Sequence, residues 1–157
     1  MSWDTIRPLI LEKLDAIEGI GQTHDYIRHT RFWSEFFARH VDKGRVNTWE
    51  FTRTAMASEF DSLGDRQVVG CQFRQTHRIN IIGRGAVSEK PEEGTEKDFQ
   101  DLTDRVVDAF RADTLLGGRL YIPDPPEIQT VGHQNYGSVL VHQAIITLSA
   151  TERVGSL

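Results

Sequence analysis

One cysteine and one histidine of this sequence have side chains that could act together as a nucleophile and its base. Cys71 and His77 both fall on the apolar face of a run with strand-like alternation. A cysteine becomes an activated nucleophile when a base lies within hydrogen-bond reach of its sulfur. Six residues of extended chain separate the two side chains by about 20 Å. The sequence therefore favours an interpretation of Cys71 as a small buried hydrophobe.

Histidines are the other residues that could bind a metal ion. The sequence contains six of them and a single cysteine, and none lies at ligand spacing from another histidine or from Cys71. The histidines are His24, His29, His40, His77, His133 and His142. From this spacing we expect no metal site and no cofactor.

A short glycine motif and an acidic segment could also suggest chemistry. Gly83-Arg84-Gly85 is half of a phosphate-binding loop, because the third glycine is missing and no helix starts directly after it. We expect a hairpin or a strand end there. Residues 86–97 are rich in Glu, Gly and Pro and are predicted to form a mobile acidic loop. Catalysis requires carboxylates held in a fixed geometry, so we predict no catalytic residues and no enzymatic activity.

Length and composition indicate one soluble domain. The chain has 157 residues, of which 38% are hydrophobic and 26% charged, with a formal net charge of −5. A mildly acidic chain is a poor candidate for wrapping nucleic acid. A single cysteine excludes an internal disulfide. No stretch has the length and hydrophobicity of a secretory signal or a membrane span, so we expect neither.

The periodicity of apolar residues predicts the elements that must position any site. A first helix is predicted over residues 3–18, and a second begins with a capping box of Thr95 and Asp98 and has Phe99 to Phe110 as its apolar stripe. Strands are predicted at 24–31, 48–55, 69–81, 128–131 and 138–149. This order indicates an α+β fold, with a mainly antiparallel sheet, two principal helices packed on one side and a short additional aromatic helix.

That additional helix is the most unusual feature of the sequence. Four aromatic residues lie within six positions and three arginines flank them. Aromatic and arginine side chains dominate the centres of protein interfaces. Packing in the protein's own core is the alternative. We predict a subunit or partner interface formed by Phe32, Trp33, Phe36 and Phe37 with Arg28, Arg31 and Arg39.

The order of features along the whole chain is the broadest pattern. They are the helix ending in Gly19-Ile20-Gly21, the strand Cys71 to Ile81, the acidic loop, the helix Phe99 to Phe110, Pro125-Pro126 and a hairpin around Gly132 to Gly137. This order resembles the tail terminator proteins of long-tailed bacteriophages, also called tail completion proteins. The resemblance covers nearly the full chain, treated as one domain from 1 to 157, and includes no short diagnostic motif.

The resemblance implies a structural role in the virion, after assembly in the host cytoplasm. Such proteins form a homo-hexameric ring that caps the head-proximal end of the tail tube, stops tube polymerisation and joins neck or head-completion proteins. Genomic DNA passes through the ring without specific binding, and no membrane or cofactor is involved. The alternatives are another head–tail connector or head-closure protein, a small α+β ligand-binding or hydrolase-like domain, and an adaptor that binds peptides along a sheet edge.

Overall fold

The computed structural model describes residues 3–27, 35, 41–42, 45–60, 72–88, 90–118, 120–137 and 139–155. Its helices are α1 (Trp3–Asp15) and α2 (Thr95–Ala112), with a short 3-10 turn at Pro91–Glu93. Its strands are β1 (Gln22–His24), β2 (Val41–Asp42), β3 (Arg45–Phe60), β4 (Gln72–Ala86), β5 (Leu115–Leu116), β6 (Leu120–Tyr121), β7 (Glu127–Tyr136) and β8 (Val139–Gly155). The chain is an α+β protein.

Both of the predicted principal helices are present. Helix α1 buries Ile6, Ile10 and Leu14, four residues apart on one stripe, and it ends three residues earlier than predicted. Helix α2 buries its predicted apolar stripe. Lys13 Nζ lies 3.0 Å from Asp113 Oδ2, so an ion pair joins α1 to the residue that follows α2. The hydrogen bond from Lys13 lowers the pKa of Asp113 below its usual value.

The predicted sheet was mainly antiparallel, and the observed sheet is mixed because one short strand pair is parallel. Its strand order is β1-β3-β4-β8-β6-β5, with β7 also paired to β8. Strand β1 runs parallel to β3, with Gln22 opposite Thr48 and His24 opposite Glu50. The long pairs β3–β4, β4–β8 and β7–β8 are antiparallel. Strand β1 follows α1 and a turn along the chain. It pairs with β3 as a short edge strand of three residues.

Four strands are longer than the sequence predicted. Strand β3 has 16 residues, β4 has 15, β7 has 10 and β8 has 17. Strand β4 continues through Gly83, Arg84 and Gly85, so the expected hairpin or strand end at these residues is wrong. A Cβ on Gly83 would lie 2.5 Å from the ring of Trp49, and one on Gly85 would lie 2.6 Å from that of Phe99. The glycines are therefore places where aromatic rings approach the strand closely.

One hydrophobic core joins the helices and the sheet. It contains Ile6, Ile10 and Leu14 of α1, the apolar stripe of α2 and alternate residues of β3, β4 and β8. The sheet residues include Trp49, Phe51, Ile79, Ile81, Ile146 and Leu148, all fully buried. Such period-two burial is what one covered face of a sheet produces.

Residues 86–97 contain more regular structure than the predicted loop. Strand β4 ends at Ala86, the 3-10 turn occupies Pro91–Glu93, and α2 starts at Thr95. The predicted capping box is absent. Gly94 is the N-cap residue, with φ of 60°, and no side chain makes a capping hydrogen bond at this end of α2. Within the described part of the chain, no helix is long and apolar enough to cross a membrane.

Candidate subunit interface

A buried polar network ties the start of β3 to the β7–β8 hairpin. Arg84 Nη1 donates to Glu50 Oε2 at 2.8 Å, and Arg84 Nε donates to the Tyr136 hydroxyl at 2.8 Å. That hydroxyl donates in turn to Gln143 Oε1 at 2.9 Å. Glu50 is fully buried and Arg84 nearly so. Because buried charges need partners, this network fixes Tyr136, at the end of β7, to Arg84 of β4 and Gln143 of β8.

A second buried pair lies towards the other end of β4. His77 Nε2 is 3.0 Å from Glu152 Oε1, and both side chains are 2% exposed. Arg53 Nη1 lies 3.5 Å from His77 Nδ1. Cys71 lies outside the described residues. His77 therefore has a carboxylate partner on β8, which the sequence prediction did not find because the two residues are 75 positions apart.

The far half of β3 is an open sheet edge. Strand β1 pairs with β3 only as far as Glu50, whereas β3 continues to Phe60. Every residue from Arg53 to Phe60 is exposed, including Met56 at 48% and Phe60 at 81%. Among the described residues, no strand pairs with the outer side of this segment. We name Arg53–Phe60 the β3 edge.

Strand β7 forms a second open edge on the opposite side of the same sheet. Within the described ranges it pairs only with β8, and its residues are exposed from Glu127 to Asn135. Ile128 and Val131 are exposed apolar residues on this strand. A register shift between Ile128 and Thr130 marks a bulge. We name Glu127–Asn135 the β7 edge.

The two open edges could pair with other chains in a defined way. An exposed edge presents unpaired backbone donors and acceptors, and long apolar edges are sites of strand addition. The β3 edge and the β7 edge are different in sequence and lie on opposite sides of one sheet. Pairing of one with the other would join copies head to tail, a heterologous contact that gives a ring if the rotation closes and an open filament if it does not.

Near the start of α2, two histidine rings lie close together. His133 and His142 are directly opposite in the β7–β8 register, and their ring centroids are 4.9 Å apart. The Phe99 ring stacks on His142 at 5.5 Å, and Thr95 Oγ1 is 3.0 Å from His142 Nε2. Burial, and then the charge of His133, lower the pKa of His142 below 6.5, while Glu96 opposes the shift. The His142 imidazole is therefore mostly neutral at neutral pH.

No two histidines lie at ligand spacing along the sequence, but the β7–β8 register brings His133 and His142 together in the fold. The signal was present in the sequence, since a turn at Gly137 brings residues 133 and 142 together in an antiparallel hairpin. Gly137 has a φ of 65°, as such turns require. Among the residues described, no group of three or more His, Cys, Asp or Glu side chains has the geometry of a metal site.

One cavity lies between the turn that follows α1, the start of β3 and α2. Its volume is about 590 Å³ and it is open to solvent. Phe99 and Leu102 contribute apolar surface, and Arg45 and Arg105 contribute charge. Asn47 Nδ2, also in its lining, donates to the Gly19 carbonyl at 3.1 Å. The cavity could admit a small polar molecule.

The predicted interface residues lie outside the described part of the chain. They are Phe32, Trp33, Phe36, Phe37, Arg28, Arg31 and Arg39. The β3 edge and the β7 edge were not singled out from the sequence, because alternation alone does not show which strand lies at an edge. No known protein family and no curated protein matches the chain.

Proposed function

We propose that this protein is a structural component of a bacteriophage tail, forming a ring that caps the head-proximal end of the tail tube. In this role it ends tube polymerisation and provides the surface that joins the neck or head. One observation carries the proposal: within the described residues, a single sheet has two different open edges on its opposite sides, and each edge carries exposed apolar side chains. The order of elements along the sequence supplies the resemblance to tail terminator proteins.

Edge-to-edge pairing explains how such a ring would be held together. The β3 edge of one copy would hydrogen-bond to the β7 edge of the next, so that the sheets become continuous around the ring. Met56 and Phe60 on one edge, and Ile128 and Val131 on the other, would lose water. Burying a large apolar side chain contributes about 1.5–3 kcal/mol. Both helices would lie on one face of the sheet and leave the edges accessible.

The number of copies and the partners follow from the resemblance. Six copies at −5 each carry −30, so the ring as a whole attracts no phosphate backbone. DNA would pass through the opening without specific binding. The tail tube protein would contact one rim and the neck proteins the other. The aromatic stretch around Trp33 remains the proposed contact with a subunit or partner. A head-closure or connector ring would use the same two edges and differ in its position on the particle.

Omission of the protein during tail assembly tests this proposal. Tails assembled without it should be overlong and unjoined to heads, and adding the purified protein should restore tubes of uniform length. Electron microscopy measures both quantities. Normal tube length and normal joining in the absence of the protein would contradict a capping role.

A small-ligand-binding domain is the second candidate. The observation that favours it is the open cavity of about 590 Å³ beside Phe99 and Leu102, because ligand sites commonly have volumes of roughly 300–1,000 Å³. Native mass spectrometry in the presence and absence of tubes separates the two candidates. A monomer that never associates, together with a bound small molecule, would favour the second.

A further inference from the structure

The β7–β8 hairpin places two imidazoles at a fixed separation. His133 and His142 are cross-strand partners, and a directly opposed pair on one face brings side chains into contact. The centroids of the two rings are 4.9 Å apart and the rings are inclined at 47°. This separation allows one nitrogen of each ring to reach a common ion.

Neighbouring groups hold His142 in position. Its ring stacks on Phe99 with an interplanar angle of 19°, and its Nε2 is 3.0 Å from Thr95 Oγ1. When Nε2–H donates to Thr95, the lone pair of His142 lies on Nδ1. A ligand histidine commonly donates its other ring N–H to an oxygen in this way, which fixes its tautomer.

Solvent and one carboxylate can complete the coordination. A cavity of about 560 Å³ opens onto both histidines and is also lined by Glu96, Lys90 and Lys97. The Lys90 ammonium lies 3.9 Å from Glu93 and is largely exposed, so it can stay in water. Glu96 lines the same cavity as the two histidines, and its negative charge favours a bound cation.

We propose that His133 and His142 form a binding site for one divalent transition-metal ion of the Zn²⁺, Ni²⁺ or Cu²⁺ type. Imidazole nitrogens suit these ions. Water, and the Glu96 carboxylate after a side-chain rotation, would fill the remaining positions. The bound ion would cross-link β7 to β8 beside the start of α2. The site is independent of ring formation, although it lies on the strand that forms the β7 edge.

Titration of the full-length protein with NiCl₂, followed by calorimetry, tests the site. Wild type should bind one Ni²⁺ per chain, and His133→Ala should abolish that binding. His133 is exposed, so this variant should fold. Thr95→Val should weaken binding by about tenfold, the size of effect expected from loss of an orienting hydrogen bond. His24→Ala, which removes a histidine from another strand, is the matched control and should bind as wild type does.

Three results would overturn the assignment. The first is no binding by wild type, and the second is binding that His133→Ala leaves unchanged. The third is inorganic phosphate binding that depends on His133 in place of Ni²⁺ binding, because Lys90 and Lys97 also line the cavity. Circular dichroism of each variant confirms that it is folded before the titrations are compared.

Discussion

Arg84 Nη1 donates a 2.8 Å hydrogen bond to Glu50 Oε2 between two adjacent strands, and the Glu50 carboxylate is fully buried. The arginine belongs to the Gly83-Arg84-Gly85 stretch, whose residue types suggested half of a phosphate-binding loop. In the folded chain this stretch is ordinary strand, and its arginine has a protein carboxylate as partner. The ion pair and Tyr136 together attach the β7–β8 hairpin to the centre of the sheet.

Breaking this ion pair should destabilise the protein strongly. Arg84→Ala leaves the buried Glu50 carboxylate without its guanidinium partner, and removal of one member of a buried pair costs about 3–5 kcal/mol. Replacing both residues, as in Glu50→Leu with Arg84→Met, should recover most of that loss because no buried charge remains. Urea denaturation of the three proteins measures the free energies of unfolding. Equal destabilisation by the single and double replacements would contradict this explanation.

The close approach of aromatic rings to β4 predicts the effect of substituting its glycines. Gly83→Ala places a methyl group 2.5 Å from the Trp49 ring, and overpacking of this kind costs about 1–3 kcal/mol. Gly132→Ala on β7 is the matched control, since no atom lies within 4 Å of its added Cβ. It should change the unfolding free energy by less than about 0.5 kcal/mol. Similar values for the two variants in urea denaturation would show that Trp49 does not pack against Gly83.

The same glycines show what the sequence could and could not predict about the fold. The apolar stripes of α1 and α2 have a strong helical period, and both helices were predicted. The sequence predicted too early an end for β4, because glycine usually weakens a strand. The glycines are explained only by the positions of the Trp49 and Phe99 rings in the fold. The parallel partner β1 is three residues long, which is too short for periodicity to determine its pairing.

Acid should weaken the protein through His142. Burial holds the pKa of this residue below 6.5 in the folded state, and the unfolded chain has the ordinary value. The unfolded state therefore takes up a proton first as pH falls. The contribution of His142 to stability is complete above pH 6.5 and is lost progressively from there down to its folded pKa.

Substitution of His142 isolates this effect. His142→Gln should lose part of the pH dependence of the unfolding free energy below pH 6.5, whatever its stability at neutral pH. Urea denaturation at a series of pH values gives the slope of the unfolding free energy against pH for wild type and for the variant. His133 and Glu96 are unchanged in the variant, so their own titrations contribute to both proteins. Identical slopes would show that His142 does not titrate in this way.

Charges placed on the open edges should block assembly without unfolding the chain. Phe60→Lys and Val131→Lys alter exposed residues on the β3 edge and the β7 edge, and lysine on an edge strand opposes pairing. Both variants should keep the melting temperature of the wild-type monomer and fail to form rings. Tyr26→Lys is the matched control, since Tyr26 is a large side chain, 54% exposed, that lies outside every described strand.

Ring formation by both edge variants would exclude edge-to-edge pairing. A large fall in their melting temperatures would instead show that Phe60 and Val131 support the monomer fold. Size-exclusion chromatography with light scattering measures assembly, and calorimetry measures the melting temperature.

The candidate interface was harder to predict than the fold. A strand's alternation shows which face is buried, but an edge is defined by a missing neighbour that only the complete topology reveals. Phe60 is therefore no different in sequence from a core residue, although it is the most exposed large hydrophobic residue among those described. The histidine pair could have been predicted from the turn at Gly137, by counting outward along both strands.

Counting copies at the ends of isolated tails tests the central claim most directly. Tails assembled with the protein can be examined by cryo-electron microscopy, with an antibody fragment against the chain to identify its position. The account predicts one ring of six copies at the head-proximal end of each tube, with adjacent copies joined through the β3 edge and the β7 edge. Copies distributed along the tube, or two or three copies at its end, would contradict it.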